Sequence, residues 1–287
     1  MKEIKMKNGL SLKIFEADNP NGTCLFLMHG MVEHLGRYSA LINYLNDKGV
    51  AVSGFHYPGH GENKLLGVME PEMIEGVLES ILEAHRILKT EGFEKIIHFA
   101  HSMGTYFTRL LITELDVDHI ILSGVPYIDE KKVRNTIRLV RTLGKVMPRK
   151  WTSKKMLAMV FDDFLKPYKN VKNGHEFIST LENEQLRYIE DPLCGIPISI
   201  GFVELLLELS SRVIALEETL SEINIPVTLM SGKDDSIGNM GEALKDLANY
   251  YSKRSDCDYE VALFEGRHEV LNDIGSLAMM EKILSIS

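Results

Sequence analysis

Cysteine is scarce in this chain, and it is scattered. Cys24, Cys194 and Cys257 are the only three, far apart, with no CxxC pair. A disulfide framework or a structural zinc site is therefore not expected, and a reducing, cytoplasmic setting is. Long apolar runs are missing too. The longest stretch without a charge, Asn19 to Val32, spans 14 residues, whereas a membrane-spanning helix needs about 18 to 20. The opening MKEIKMKNGL is charged and holds no apolar leader segment, so no secretory signal is expected. Positive charge is in deficit. The net charge is −9, which argues against general nucleic-acid binding. No internal repeat or low-complexity stretch occurs, and nothing in the sequence indicates an oligomeric state.

What remains is ordinary globular composition, with 45% hydrophobic and 25% charged residues over 287 positions. A chain of this size can bury roughly three quarters of its unfolded surface without covalent staples. One asymmetry breaks the pattern. Between Lys131 and Lys155 there are ten Lys/Arg and no Asp/Glu, which leaves −9 − 10 = −19 for all other residues. Such a block is either a surface with its own task or a solvated helix face.

The first half alternates apolar β-rich runs with helical patterns. Strands are expected at Leu12 to Glu16, Cys24 to Met28, Val50 to Phe55, Ile96 to Ala100 and Ile120 to Ser123. Most are continuous apolar runs, as in strands covered on both faces. Helices are expected at Tyr38 to Asp47, Pro71 to Lys89 and Met103 to Glu114. After Val125 the alternation stops, and it resumes with a strand at Val227 to Met230. A helix follows at Met240 to Tyr251, a strand at Tyr259 to Phe264 and a helix at Ile274 to Ile286. The expected fold is α/β, a mostly parallel central sheet flanked by helices. Residues 1–125 and 213–287 form its core, and 126–212 a helical cap inserted between strands six and seven. Within the insertion, Val133, Ile137, Val140 and Met147 recur at helical spacing among Lys132, Arg134, Arg138, Arg141 and Lys145. That predicts an amphipathic helix with one cationic side.

The strongest chemical signal is Ala100-His101-Ser102-Met103-Gly104, where an apolar strand runs into a helical pattern. A serine on such an elbow has its Oγ exposed at the sheet's C-terminal edge, and the turn requires small residues two places away. Serine alone is a poor nucleophile and needs a base. Of ten histidines, His268 stands in a loop directly after the last strand, at the edge that faces Ser102. The base needs a carboxylate to orient it. Asp234 and Asp235 both follow the Val227 strand; Asp235 is the expected acid, with Asp234 and the more distant Asp129 as alternatives. The oxyanion needs fixed donors, and the backbone N–H groups of Met31 and Met103 are the candidates. His29, Glu33 and His34 lack the HExxH spacing, so no metal is expected, and no nucleotide fingerprint is present.

Five blocks, HGMVEHLGRY (His29 to Tyr38), YPGHG (Tyr57 to Gly61), HSMGT (His101 to Thr105), SGKDD (Ser231 to Asp235) and GRHE (Gly266 to Glu269), together resemble the monoacylglycerol lipase and lysophospholipase-like branch of the α/β-hydrolases. The resemblance runs in order along nearly the whole chain and is weakest in the insertion. It implies the triad Ser102, Asp235 and His268, the oxyanion donors Met31 and Met103, and no cofactor. It also implies a serine hydrolase acting on a lipid-like ester, with a proline-iminopeptidase-like aminopeptidase or an acyltransferase as alternatives. A non-catalytic binding protein is disfavoured by the intact triad. The cationic cap implies transient contact with an anionic membrane surface. Three positions depart from the family pattern: Ala100 for glycine, His56 for aspartate and Asn63 for serine.

Overall fold

Side chains alternate across a strand, so a strand with helices on both sides must be apolar at every position. The computed structural model, which describes residues 1–144, 147–220, 222–253 and 258–287, shows this at β3 (Thr23–Met28), where all six residues are buried. Cys24, Phe26 and Met28 enter one core cluster, and Leu25 and Leu27 the other. The same holds for β5 (Lys95–His101), β6 (His119–Ser123) and β9 (Val227–Gly232). With β1 (Lys2–Lys5), β2 (Ser11–Phe15), β4 (Ala51–Gly54) and β10 (Tyr259–Phe264) they form one eight-stranded sheet, ordered β1-β2-β4-β3-β5-β6-β9-β10. From β4 to β10 all neighbours are parallel, while β1 and β2 join antiparallel. The strand at β1 was not expected from sequence. Its residues KEIK are mostly exposed at the sheet edge, so it carries no apolar pattern.

The helices α1 (Ser39–Asn46), α2 (Ile74–Thr90) and α3 (Met103–Leu110) connect the early strands. Pro71–Met73 is a 3₁₀ turn leading into α2, and α3 stops four residues before the expected Glu114. Four further helices lie between β6 and β9, the sixth and seventh strands of the main sheet: α4 (Glu130–Leu143), α5 (Lys154–Leu165), α6 (Glu182–Glu190) and α7 (Ile200–Thr219). The two-residue strands β7 (Thr152–Ser153) and β8 (Ile198–Ser199) pair antiparallel within this segment. After β9 come α8 (Glu242–Tyr251) and α9 (Ser276–Ile286).

Two expectations about the insertion change. The border at residue 212 falls inside α7, which continues to Thr219. Its Leu205, Leu209 and Val213, four residues apart, are fully buried, and α7 packs on both α3 and α4. The same apolar stripe continues across residue 212, so no break marks a border there. The basic helix α4 ends at Leu143, so Met147 is not on it, and Lys145 and Cys257 lie outside the described residues. Three of its five cations are paired, and so is Arg149 beyond its end. Arg134 pairs with Glu130, Lys132 with Asp163, and Arg141 with Glu208 at 2.8 Å. Arg149 meets both Glu72 and Glu204. Pairs this exposed contribute about 0–1 kcal/mol each.

The Arg109–Glu217 pair is different. Arg109 on α3 donates through Nε and Nη2 to both carboxylate oxygens of Glu217 on α7, at 2.8 and 2.7 Å, and its side chain is 6% exposed. Glu217→Ala leaves that guanidinium buried without its bidentate acceptor. Urea unfolding is expected to show a loss of about 3 kcal/mol, against under about 1 kcal/mol for Glu130→Ala on the exposed pair.

Candidate active site

β5 ends at His101, and α3 begins at Met103. Ser102 between them has φ 50° and ψ −119°, a region that costs a non-glycine residue on the order of 1–3 kcal/mol. The surroundings hold it there. Ser102 donates its N–H to the Ser123 carbonyl at 2.9 Å. A Cβ on Gly104 would lie 2.8 Å from the Met28 carbonyl oxygen. One on Gly30 would lie 2.7 Å from Glu33 Oε1 and 3.1 Å from Ser102 Cβ. Ala100, paired with Met28 across the sheet, is fully buried, so a methyl group fits where the family pattern has glycine.

Loops after β9 and β10 reach the same edge. His268 Nε2 lies 2.9 Å from Ser102 Oγ. Its Nδ1 lies 3.0 Å from both carboxylate oxygens of Asp235. Asp235 is 0% exposed, and its carboxylate also accepts from Ser231 Oγ at 3.1 Å and from the N–H groups of Ile237 and Gly238 at 2.9 and 3.3 Å. Ser102, His268 and Asp235 are therefore one hydrogen-bonded chain. The two alternative acids stand apart from it. Asp234 is exposed, and Asp129 caps α4 by accepting from the Lys132 N–H at 3.0 Å.

Burial alone pushes Asp235 up, but the neighbouring His268, its hydrogen bond and the other donors outweigh it and hold the carboxyl below the usual range. For His268 burial favours the neutral ring, yet the Asp235 charge and hydrogen bond, with Glu269 and Glu33, raise it above the ordinary value. His101 packs 4.6 Å from the His268 ring; burial and the neighbouring His268 keep it well down and neutral.

The Met103 N–H opens α3 and has no intrahelical acceptor. Among the described residues, the Met31 N–H has no hydrogen-bond acceptor either. Both residues line one cavity with Ser102. The loop carrying Met31 is pinned from several sides. Glu33 accepts from the Gly30 N–H and, at 2.8 Å, from the Tyr38 hydroxyl. His60 Nε2 accepts from Val32 N–H at 3.0 Å, and His56 Nε2 from Leu35 N–H at 3.2 Å. Both rings are held neutral, pushed down to about 4 chiefly by burial. His56, one of the departures, thus serves as a backbone acceptor. Asn63, another, donates to the carbonyls of His56 and Tyr57 at 3.2 and 2.7 Å.

The cavity has a volume of about 550 Å³, within the roughly 300–1,000 Å³ of small-molecule sites. Its walls come from the insertion: Val133 on α4, Met156 and Val160 on α5, Val203, Leu206 and Leu207 on α7. The leucine run divides its labour, since Leu205 and Leu209 face the core instead. Polar lining is sparse, and its acids are engaged: Asp163 with Lys132 and Lys166, Asp129 in its cap.

His34, Asp191 and Cys194 bring three donor atoms within 4.8 Å of one another. His34 Nδ1 accepts the Gly36 N–H at 3.1 Å, so its proton sits on Nε2, which donates to Asp191 Oδ2 at 2.8 Å. A metal on Nε2 would need the opposite tautomer, so the cluster fits a hydrogen-bonded pair better than a metal centre.

Three features escaped the sequence. Arg37 pairs with Glu269 next to His268, Nη2 to Oε2 at 2.5 Å; both lie in motif blocks, but nothing in the spacing links them. The His268 and Glu269 N–H groups donate to the Phe177 and Ile178 carbonyls at 3.1 and 2.9 Å. The Tyr168 hydroxyl contacts the backbone on both sides of Asp235. The last two are tertiary contacts without a motif.

A family model described as serine aminopeptidase, S33, matches residues 19–275. A monoglyceride lipase homolog of Monkeypox virus is 23% identical over 266 residues, covering 90% of this chain and 86% of its own length. The monoglyceride lipase of Mus musculus is 24% identical over 262 residues, with 88% and 78% covered. The solved structure of a thermostable carboxyl esterase from Bacillus coagulans superposes with a TM-score of 0.85 at 18% identity, covering 99% of this chain and 96% of that one.

The two acids are separable by experiment. Asp235→Asn is expected to slow labelling by a fluorophosphonate about 10³- to 10⁴-fold, because the base loses its orienting acceptor. Asp234→Asn should change it less than about threefold. The measurement is the second-order labelling rate followed by intact-protein mass.

Proposed function

The chain belongs to the Hydrolase_4 family, serine aminopeptidase S33, and from that footing we propose that it hydrolyses carboxylic esters of lipid-like substrates, monoacylglycerol or lysophospholipid in type, through an acyl-enzyme on Ser102. The observation that carries this is the Ser102–His268–Asp235 chain opening into an apolar cavity. Ser102 Oγ attacks the ester carbonyl while His268 Nε2 takes its proton. Asp235 holds the Nδ1 proton and stabilises the imidazolium. The oxyanion is met by the Met31 and Met103 N–H groups. His268 then protonates the leaving alkoxide, and water repeats the cycle on the acyl-enzyme. Met31 and Met103 beside the reacting carbonyl suit an adaptable acyl site.

The segment from residue 126 to the end of α7 serves as the cap that walls this site. An aminopeptidase would need a free carboxylate there to hold the substrate ammonium. The cavity's acids are already paired or capping, which favours the ester. The working setting is cytoplasmic; among the described residues no helix is long and apolar enough to cross a membrane.

The cap also meets lipid surfaces transiently. Leu139 and Met159 line the cavity yet are 61% and 70% exposed, forming an apolar rim. Lys131 and Arg138 on the same helix as Leu139 are exposed and make no ion pair among the described residues. Each cation near an anionic surface adds about 1 kcal/mol at low salt.

Ser102→Ala is expected to lower kcat on a p-nitrophenyl ester by about 10³-fold or more without shifting the melting temperature. In the wild type the base must be neutral. Because His268 is raised, kcat/KM should fall as pH drops through a midpoint above about 6.5. A midpoint below that value contradicts the upward shift of His268. Turnover of monoacylglycerol and lysophospholipid alongside an aminoacyl amide separates ester from peptide chemistry.

For the lipid surface, Lys131→Gln with Arg138→Gln should cut activity on substrate in anionic vesicles by about fivefold or more at low salt. Activity on a soluble short-chain ester should hold within about twofold. Equal losses on both substrates exclude the docking role.

A further inference from the structure

The loop that carries Asp235 is anchored mainly through its backbone, and its Ile237 carbonyl also accepts from the Tyr127 N–H at 2.9 Å. Lys233 N–H donates to the Phe264 carbonyl at 2.9 Å, and Asp234 N–H to Gly266 at 3.1 Å. Asp235 N–H donates to Gly232 at 3.3 Å, and the Asp235 carbonyl accepts from Met240 N–H at 2.8 Å. Two backbone groups are left facing away from the core, the Asp234 carbonyl and the Ser236 N–H. They flank the acid on either side. A single cap atom meets both. The Tyr168 hydroxyl, beyond the end of α5, donates to the Asp234 carbonyl at 2.6 Å and accepts from the Ser236 N–H at 3.2 Å.

The ring of Tyr168 has a second contact. The guanidinium carbon of Arg267, the residue before His268, lies 4.3 Å above it. Arg267 Nη1 in turn donates to the carbonyls of Glu176 and Ser179 at 2.5 and 3.2 Å. The next two residues of that loop, His268 and Glu269, donate their N–H groups to Phe177 and Ile178. Residues 168 to 179 of the cap therefore clasp both loops, acid and base. At Tyr168 one side chain touches the two together.

We propose that Tyr168 is a positioning residue through which the cap sets the Asp235 loop, so that cap placement and alignment of the Ser102–His268–Asp235 chain are one event. This rests on the reading of that chain as the catalytic triad. The physical basis is short. A planar carboxylate aligned with both oxygens on one imidazole N–H tolerates little rotation, and the loop is held on its outer side by the tyrosine oxygen. Loss of that oxygen frees two hydrogen bonds and lets the carboxylate drift, while substrate binding in the apolar cavity is untouched. Tyr168 is not among the residues lining that cavity.

The test is a double-mutant cycle on the full-length chain. Tyr168→Phe keeps the ring over Arg267 and removes only the hydroxyl. It is expected to lower kcat on a soluble p-nitrophenyl ester about 5- to 30-fold, with KM within about twofold. The fluorophosphonate labelling rate should fall by the same factor. Asp235→Asn is then combined with it. If Tyr168 acts through Asp235, adding Tyr168→Phe to Asp235→Asn should slow labelling by no more than about twofold further. An equal loss in both backgrounds, or none in the wild type, overturns the proposal. Wild-type labelling by Asp235→Asn alone overturns the triad reading itself, and is distinct from either. A thermal melt of each variant shows that the folded fraction is the same.

Discussion

Asp235 carries a charge in a place closed to bulk solvent. A carboxylate buried to 0% exposure costs several kcal/mol to desolvate unless its oxygens are filled with donors. Here they are filled by one imidazole, one hydroxyl and two backbone N–H groups. These donors come from β9, the turn after it and the loop after β10. The need to satisfy one charge thus fixes where two loops meet. It also raises His268 and keeps its Nε2 directed at Ser102. The loop geometry and the hydrogen bond to Ser102 follow from it.

The Ser102 side is governed by crowding rather than charge. Ser102 sits in a strained conformation held by the Ser123 carbonyl and by the close approach of β3 and its loop. Gly30 and Gly104 are glycines because a Cβ at either would press on Glu33, Ser102 or the Met28 carbonyl. The loop that brings Met31 near is fastened by neutral histidines acting as backbone acceptors. Protonation would convert those acceptors into donors, so their burial, which keeps them neutral near pH 7, is part of the loop's construction.

The cap shows how a local charge pattern is absorbed by its surroundings. Ten cations in one stretch suggest a free electropositive face. In the folded chain several find acids on α5, α7 and the loop after β4. The apolar side of α4 turns inward with Val133 and Val140 on the cavity. Among the described residues, Lys131, Arg138, Lys154 and Lys155 stay exposed without an ion pair, beside a small apolar rim, a weaker and more local feature than the sequence alone implies.

The fold class was legible because both-face burial leaves continuous apolar strands, and the order of strand, elbow and loop is local information. Ser102 and His268 stand out in the sequence for the same reason: each follows a strand, in a turn whose residue types are constrained. The choice between Asp234 and Asp235 was not local. Adjacent residues on a turn point to opposite sides, and only the packed structure puts one in the core and the other in solvent. The edge strand β1 and the end of the insertion also lay beyond the sequence, the first for lack of any apolar pattern, the second because the buried stripe of α7 runs on across residue 212. The grip of Tyr168 and of the Phe177 and Ile178 carbonyls on the two loops belongs wholly to tertiary structure. Backbone groups on distant segments carry no side-chain signature, so nothing but their approach in space decides that they pair.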